Sequence, residues 1–186
     1  MRQGSSLAVN VEKRRLVQVV RGFESPGDHL IGVPVQVGRV WMVLARIDDH
    51  VAPAGFDALR LEDLSEIRDT FKGRSFYIRG LRARRCSLPG LPNLDLESTA
   101  GLLKSASRYF SLLVLSCEHL SPDTVDIGAL AGVTSRSAAV RLVRPNAQWV
   151  RGLCRYRATD ITRVGFGGDY EETLASVAGL SDPKWT

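Results

Sequence analysis

The chain has 186 residues, of which 44% are hydrophobic and 24% are charged, a composition typical of a globular protein with one domain or two small ones. No apolar run approaches the roughly 18 residues that span a bilayer, which argues against a membrane protein. The 3 widely spaced cysteines argue against a disulfide framework or a zinc site and favour a reducing cytoplasm. The net charge of +5 is typical either of nucleic-acid affinity or of a genome that favours arginine codons.

The first half predicts a short helix followed by about five strands. Residues 5–14 have the apolar spacing of an opening helix. Alternating or continuous apolar residues predict strands at 16–20, 32–37, 40–47, 56–61 and 63–67. Pro34 lies in the second of these strands, which predicts that this strand forms a sheet edge.

The second half predicts the same plan with clearer borders. Residues 89–93 contain two prolines and a glycine and are predicted to separate a first domain, 1–88, from a second, 94–186. A helix is predicted at 98–110, and strands are predicted at 111–117, 125–133, 137–143, 149–156 and 160–164. A closing helix at 169–178 is expected to be capped by Asp169 and to stop at Gly179.

The second half faintly repeats the first. Residues 59–67 resemble residues 156–164 at a constant offset of 97 positions. Upstream, Pro26, Ile31, Gly32 and Val37 recur as Pro122, Ile127, Gly128 and Val133, at an offset of 96. A period of this length predicts one folded module copied and fused, because solenoid units run from about 20 to 50 residues.

The predicted fold class is mainly β with short helices (α+β). Five short strands with tight turns are expected to curl so that no long edge stays bare. The sequence therefore predicts two repeated small five-stranded antiparallel barrels, each preceded by a short helix. This order of elements resembles that of the Sm-like proteins, so the chain is similar to a tandem-duplicated bacterial Sm-like protein, a family that binds RNA and builds rings.

One motif carries part of this resemblance. Residues 76–80, Phe-Tyr-Ile-Arg-Gly, are similar to the Ile-Arg-Gly element of the second Sm motif, and Asp48 or Asp49 is similar to the aspartate of the first. The resemblance implies that Arg79 and Gly80 help to form a pocket for an RNA base. The second half has no such tripeptide, so a chance match stays open.

The arginines that follow the motif form a run of one sign. Arg79, Arg82, Arg84 and Arg85 have no acidic residue between them, and such a cluster can neutralise several phosphates. If residues 75–85 are helical, Arg79, Arg82 and Arg85 share one face. The sequence predicts a nucleic-acid contact made by Arg79, Gly80, Arg82, Arg84 and Arg85; a solvated arm is the alternative.

The sequence contains no recognisable catalytic or metal-binding motif. The glycine-rich residues 165–168 lack the lysine of a phosphate-binding loop and predict a sharp turn. The 3 histidines stand apart, whereas zinc needs three or four ligands. We therefore expect no catalytic residues, no metal and no cofactor. The expected function is a non-enzymatic cytoplasmic interaction module that binds a protein partner or itself and no membrane; the alternative is an RNA-binding protein.

Overall fold

The computed structural model describes residues 15–23, 29–69, 71, 75–88 and 90–180. The helix expected at 5–14 lies outside these residues. The strands are β1 Val17–Arg21, β2 His29–Val37, β3 Trp41–Ile47, β4 Pro53–Arg60, β5 Leu64–Arg68, β6 Leu113–Ser116, β7 Val125–Val133, β8 Ser137–Leu142, β9 Cys154–Arg157 and β10 Arg163–Phe166. The helices are α1 Phe76–Ala83, α2 Thr99–Ala106 and α3 Asp169–Val177, and a 3-10 turn, Leu61–Asp63, joins β4 to β5.

The described strands form one antiparallel sheet rather than two barrels. Its ten strands are ordered β5-β1-β2-β3-β4-β10-β6-β7-β8-β9. The prediction of two five-stranded barrels is therefore wrong. The reason is the partner of β4, which pairs with β10 along Phe56↔Phe166 to Leu59↔Arg163. Since β4 is committed to the other half of the chain, it cannot pair with β5, and neither half closes.

The strand order is the same on both sides of the β4–β10 junction. In the sheet, β5 lies next to β1 and is followed by β2, β3 and β4. In the second half β10 likewise lies next to β6 and is followed by β7, β8 and β9. The sheet thus runs without a break through both predicted domains. The boundary segment also packs on the first half: Leu94 and Leu96 are buried, and the Leu96 carbonyl accepts a hydrogen bond from the Trp41 amide at 3.2 Å.

The main core lies under the centre of the sheet, where α2 packs. Leu102 and Leu103 of α2 are fully buried and join Trp41 and Val164 in one apolar cluster. Burial of each such leucine stabilises the fold by about 1.5–3 kcal/mol. At the end of β4, the rings of Phe56 and Phe166 stack with centroids 5.8 Å apart. The core therefore holds together residues about a hundred positions apart in the chain.

Two local predictions are wrong and one is confirmed. Pro34 lies in β2, which is an interior strand between β1 and β3, and a register shift beside Pro34 accommodates its missing N–H group. Helix α3 begins after Gly168 rather than at an Asp169 cap, and no side chain caps it. It ends as expected at Gly179, which has a φ of +82°.

Candidate interaction surfaces

Helix α1 carries the predicted nucleic-acid residues. It begins because the Ser75 hydroxyl accepts a hydrogen bond from the Ile78 amide at 3.3 Å, an N-cap. One face of α1 packs against an apolar cluster around Leu16 through the side chains of Tyr77, Ile78 and Leu81. The shared face predicted from the sequence required the arginines to be helical. Arg79 and Arg82 are in the helix, whereas Arg84 and Arg85 follow its last residue.

All four arginines of this segment are exposed. Arg79, Arg82, Arg84 and Arg85 form no ion pair with a carboxylate of the described residues. Arg84 donates a hydrogen bond to the His50 carbonyl oxygen at 2.6 Å. Phe76 lies beside them with 70% of its surface exposed. We call this surface the α1 arginine patch.

Gly80 has a packing role in α1. A Cβ atom at this position would lie 2.8 Å from Cγ1 of Val51, which is buried in the loop between β3 and β4. The glycine lets the helix approach that loop. Its position in the sequence is explained by this contact, without a role in binding.

A second arginine surface was missed in the sequence. Residues 127–159 contain six arginines and no aspartate or glutamate. These arginines are spaced at intervals and form no run, so a search for adjacent charges overlooks them. The signal that finds them is the absence of acidic residues over a long window. They are Arg136, Arg141, Arg144, Arg151, Arg155 and Arg157, all exposed.

A buried polar cluster lies where the end of β1 meets the segment after β6. Arg21 is 3% exposed and Glu118 is 5% exposed, and the guanidinium donates to the carboxylate at 2.7 Å. The Thr162 hydroxyl, which is also buried, hydrogen-bonds the other oxygen of Glu118. Nε and Nη2 of Arg21 have no hydrogen-bond partner among the described residues, and the Phe23 ring covers the guanidinium at 4.5 Å.

Asp63 borders this cluster. Its carboxylate lies 3.5 Å from Nε2 of His119. Burial raises the pKa of Asp63 above 3.8, although the nearby His119 and Arg21 act to lower it. The charges of Arg21 and Glu118 are buried, whereas the His119 side chain beside Asp63 is 59% exposed. The cluster therefore joins the two halves of the chain through buried charges.

The Tyr156 hydroxyl and the Cys117 thiol are half-buried and have raised pKa values. Burial and a hydrogen bond to Asp126 raise the pKa of Tyr156 far above its usual value. Burial raises the pKa of Cys117 to about 11. Both shifts favour the protonated groups at neutral pH, so these side chains lack the lowered pKa typical of an activated nucleophile.

The remaining sequence candidates lie in a turn before α3 and in one shallow depression. Residues 165–168 form the turn from β10 into α3, as predicted, and Gly167 has a φ of +67°. A Cβ on Gly168 would lie 2.4 Å from a carboxylate oxygen of Glu171, so an acidic group already occupies this helix start. His29, Asp48 and Asp49 line one shallow depression, but the Asp48 carboxylate accepts the Ala52 amide at 2.9 Å.

The described part of the chain shows neither a metal-binding cluster nor a helix that could span a membrane. It contains no group of three or more histidine, cysteine, aspartate or glutamate side chains placed to hold a metal ion. None of its helices combines the length and apolar character needed to span a bilayer.

Comparison with known proteins identifies no relative. No family model, no curated protein and no solved structure matches the chain. The resemblance to Sm-like proteins therefore has no support from these comparisons, and the open sheet contradicts the paired barrels that it implied.

Proposed function

We propose that the protein is a non-enzymatic interaction module that self-associates through its open sheet edges. The observation that supports this function is the free edge of β9, which pairs with β8 only among the described strands. An exposed edge strand is a natural site for the addition of another strand. The three cysteines are free thiols, which favours the cytoplasm as the place where this binding occurs.

The backbone of β9 has donors and acceptors available for such pairing. The Ala158 amide donates to the Arg136 carbonyl at 2.9 Å, so the even-numbered residues of β9 bond to β8. In an antiparallel pair these bonding positions alternate with positions whose polar groups point the other way. The N–H groups of Arg155 and Arg157 therefore point away from β8, towards the open edge.

Strand β4 offers an internal precedent for this arrangement. It too has a partner on one side, β3, and its outward groups bond to β10; the Arg60 amide donates to the Thr162 carbonyl at 3.4 Å. β4 is the fourth strand of its half and β10 the fifth. At the two ends of the described sheet, β9 is likewise the fourth strand of its half and β5 the fifth strand of its half.

The charges of these two edges are complementary. Residues 151–157, which include β9, carry three arginines and no carboxylate. Residues 62–69, which include β5, carry four carboxylates and one arginine. We infer that β9 of one copy pairs with β5 of a second copy. Opposite charges on facing strands favour this pairing over β9 with β9.

The experiment is sedimentation velocity over a concentration series, comparing Arg155→Pro with Arg155→Ala. Proline removes the outward N–H and leaves every bond to β8 intact, whereas alanine removes the charge and keeps the N–H. We expect concentration-dependent assembly of the unmodified chain, partial weakening by Arg155→Ala and loss of assembly with Arg155→Pro. A chain that sediments as a monomer at every concentration, or assembly that survives Arg155→Pro, overturns the proposal.

A second candidate function, RNA binding, is favoured by the α1 arginine patch. Four exposed guanidinium groups, which have no carboxylate partner among the residues that the structure describes, lie beside an exposed phenylalanine and suit a phosphate backbone with an adjacent base. The test is a fluorescence polarisation titration with mixed-sequence RNA and single-stranded DNA at low and at physiological salt. Replacement of Arg79, Arg82, Arg84 and Arg85 by alanine is expected to abolish saturable binding, and no binding at low salt overturns this function.

A further inference from the structure

The second arginine surface lies on one face of β7, β8 and β9. The pairings are Ala129↔Arg141, Ala139↔Arg155 and Ser137↔Arg157. Directly paired residues of antiparallel strands project to the same side of the sheet, and residues two apart along a strand share a face. Arg141, Arg155 and Arg157 therefore project from one face, which we call the β9 face.

The β9 face is the outer side of the sheet at this end. The residues of the opposite parity, Ala138 and Val140, are buried in the main core, with Tyr156 packed against them. Each arginine of the β9 face is paired with a small residue, alanine or serine. Within β7 to β9 the arginines therefore have small paired neighbours, and beside Arg141 the face is bordered by an apolar cluster that includes Ala129 and Trp149.

The positive charge of this face is scarcely neutralised. Arg157 forms an ion pair with Asp160 at 3.2 Å. Arg141 stacks on the Trp149 ring at 4.7 Å, a contact that holds its side chain without cancelling its charge. Arg155 forms no ion pair with any described carboxylate. Charge repulsion among these arginines costs free energy that a bound polyanion would recover.

We propose that the β9 face binds the phosphate backbone of single-stranded nucleic acid without reading its sequence. Arg155 and Arg157 are separated by about 6.6 Å along β9, and a flexible single strand can set its phosphates to such a spacing. Arginine forks bind phosphate oxygens in pairs. Arg141 covers one face of the Trp149 ring, so we expect the affinity to come mainly from phosphate contacts and to fall steeply with salt.

Other polyanions fit this face less well. A membrane surface or an acidic protein is held by charge together with buried apolar anchors. Within β7 to β9, the paired neighbours of the arginines on this face are Ala129, Ser137 and Ala139, which are too small to serve as anchors. The exposed Leu153, two residues before Arg155, is a single apolar side chain beside this face. A double helix would need an element that enters a groove, and a flat sheet face offers none.

This inference does not depend on the α1 arginine patch, and it shares Arg155 and Arg157 with the β9 edge proposed for self-association. Nucleic-acid binding uses the side chains of these two arginines, whereas edge pairing uses the backbone of β9 and is only aided by charge. The experiment titrates fluorescein-labelled oligo(U) and oligo(dT) with four proteins. They are the unmodified chain, the face variant R141Q/R155Q/R157Q, the charge-matched control R15Q/R39Q/R68Q, and the α1 variant R79Q/R82Q/R84Q/R85Q. The control removes three arginines that are already paired with carboxylates.

We expect the face variant to bind at least about tenfold more weakly at low salt, and the control to bind nearly as the unmodified chain does. Three lost phosphate contacts should flatten the dependence of log Kd on log salt by about 2, since each contributes roughly 0.7. A lysine version, R141K/R155K/R157K, should restore most of the binding. Thermal unfolding of each variant checks that the fold is kept.

Several outcomes overturn the inference. Equal loss in the face variant and the control would mean that net charge alone attracts the oligonucleotide. Loss in the α1 variant only would place the contact on the α1 arginine patch. Equal, arginine-dependent binding to phosphatidylserine vesicles or to a poly-glutamate peptide would assign the face to another polyanion. Sedimentation of the same variants separates failure of this inference from failure of self-association, because the face variant keeps the β9 backbone and should weaken assembly only in part, as Arg155→Ala does.

Discussion

Arg21 and Glu118 form a buried ion pair, 2.7 Å from nitrogen to oxygen, between residues 97 positions apart in the chain. Glu118 also accepts from the Thr162 hydroxyl and lies 3.8 Å from Nε of Arg163. The pair joins the end of β1 to the segment after β6. A buried ion pair adds little net stability compared with apolar residues, but it is costly to break.

We therefore expect Glu118→Gln to lower the free energy of unfolding by about 3–5 kcal/mol, since it leaves the Arg21 charge buried and uncompensated. Urea denaturation measures this loss. The double variant R21M/E118L should recover most of it, because no buried charge remains. A loss below about 1 kcal/mol for Glu118→Gln would show that water reaches the pair.

Arg60→Lys should lower stability although the charge is kept. The Arg60 guanidinium donates to the carbonyls of Ala158 at 2.7 Å and Ile161 at 2.6 Å. A single ammonium cannot reproduce this fork, and an unsatisfied buried carbonyl costs about 1–3 kcal/mol. The matched control is Arg39→Lys at an exposed position, which should change stability by less than about 0.5 kcal/mol. Equal effects in chemical denaturation would contradict the assignment.

Gly80→Ala is expected to destabilise α1 despite the higher helix propensity of alanine. Propensity favours alanine by about 1 kcal/mol, whereas overpacking against buried Val51 costs about 1–3 kcal/mol. Thermal unfolding should therefore show a net loss, and a second change, Val51→Ala, should make the glycine replacement favourable. Gly90→Ala is the control, because nothing lies within 4 Å of the added methyl group.

The stability contributed by Asp63 should fall as pH rises. Its pKa is higher in the folded chain than the ordinary 3.8 because of burial, so the folded state binds this proton more tightly than the unfolded state does. Ionisation costs stability above the folded pKa, and the cost disappears as pH falls through that value towards 3.8. Asp63→Asn should gain stability relative to the unmodified chain between pH 4 and pH 7; urea denaturation showing the opposite trend contradicts this.

Cys117 should resist alkylation in the folded protein. Its pKa of about 11 leaves very little thiolate near pH 8. Mass spectrometry of iodoacetamide-treated protein should find Cys117 unmodified at pH 8 and increasingly modified towards pH 11. In urea the same thiol should react at its ordinary pKa of 9.0. Rapid native modification at pH 8 would show that the thiol is more accessible than its burial indicates.

Local sequence patterns predicted the strands well and their partners poorly. The alternation and apolar runs placed β3, β7 and α2 within a few residues of their observed bounds. The first half can close into a barrel only if β4 pairs with β5 instead of β10. The apolar pattern along β4 is the same with either partner, so it does not predict which of them pairs. The decision is made by contacts between distant residues, such as Phe56 with Phe166, which no local window contains.

The candidate site was predicted in part for a similar reason. Arg79, Arg82, Arg84 and Arg85 are exposed, and their contact with nucleic acid stays a prediction. Arg141, Arg155 and Arg157 come together only through the register of β8 with its neighbours. In the sequence Arg141 and Arg155 are separated by a mixture of apolar, polar and basic residues, and only the long absence of acidic residues marks the group.

The pairing of β4 with β10 has a consequence during synthesis. β4 is complete at Arg60, but its partner is complete only at Phe166, about a hundred residues later. At roughly 5–20 residues per second, the ribosome exposes the unpaired edge of β4 for about 5 to 20 seconds. Nascent chains on one messenger therefore have time to exchange strands with each other, and slower translation of the second half should increase the yield of such entangled products.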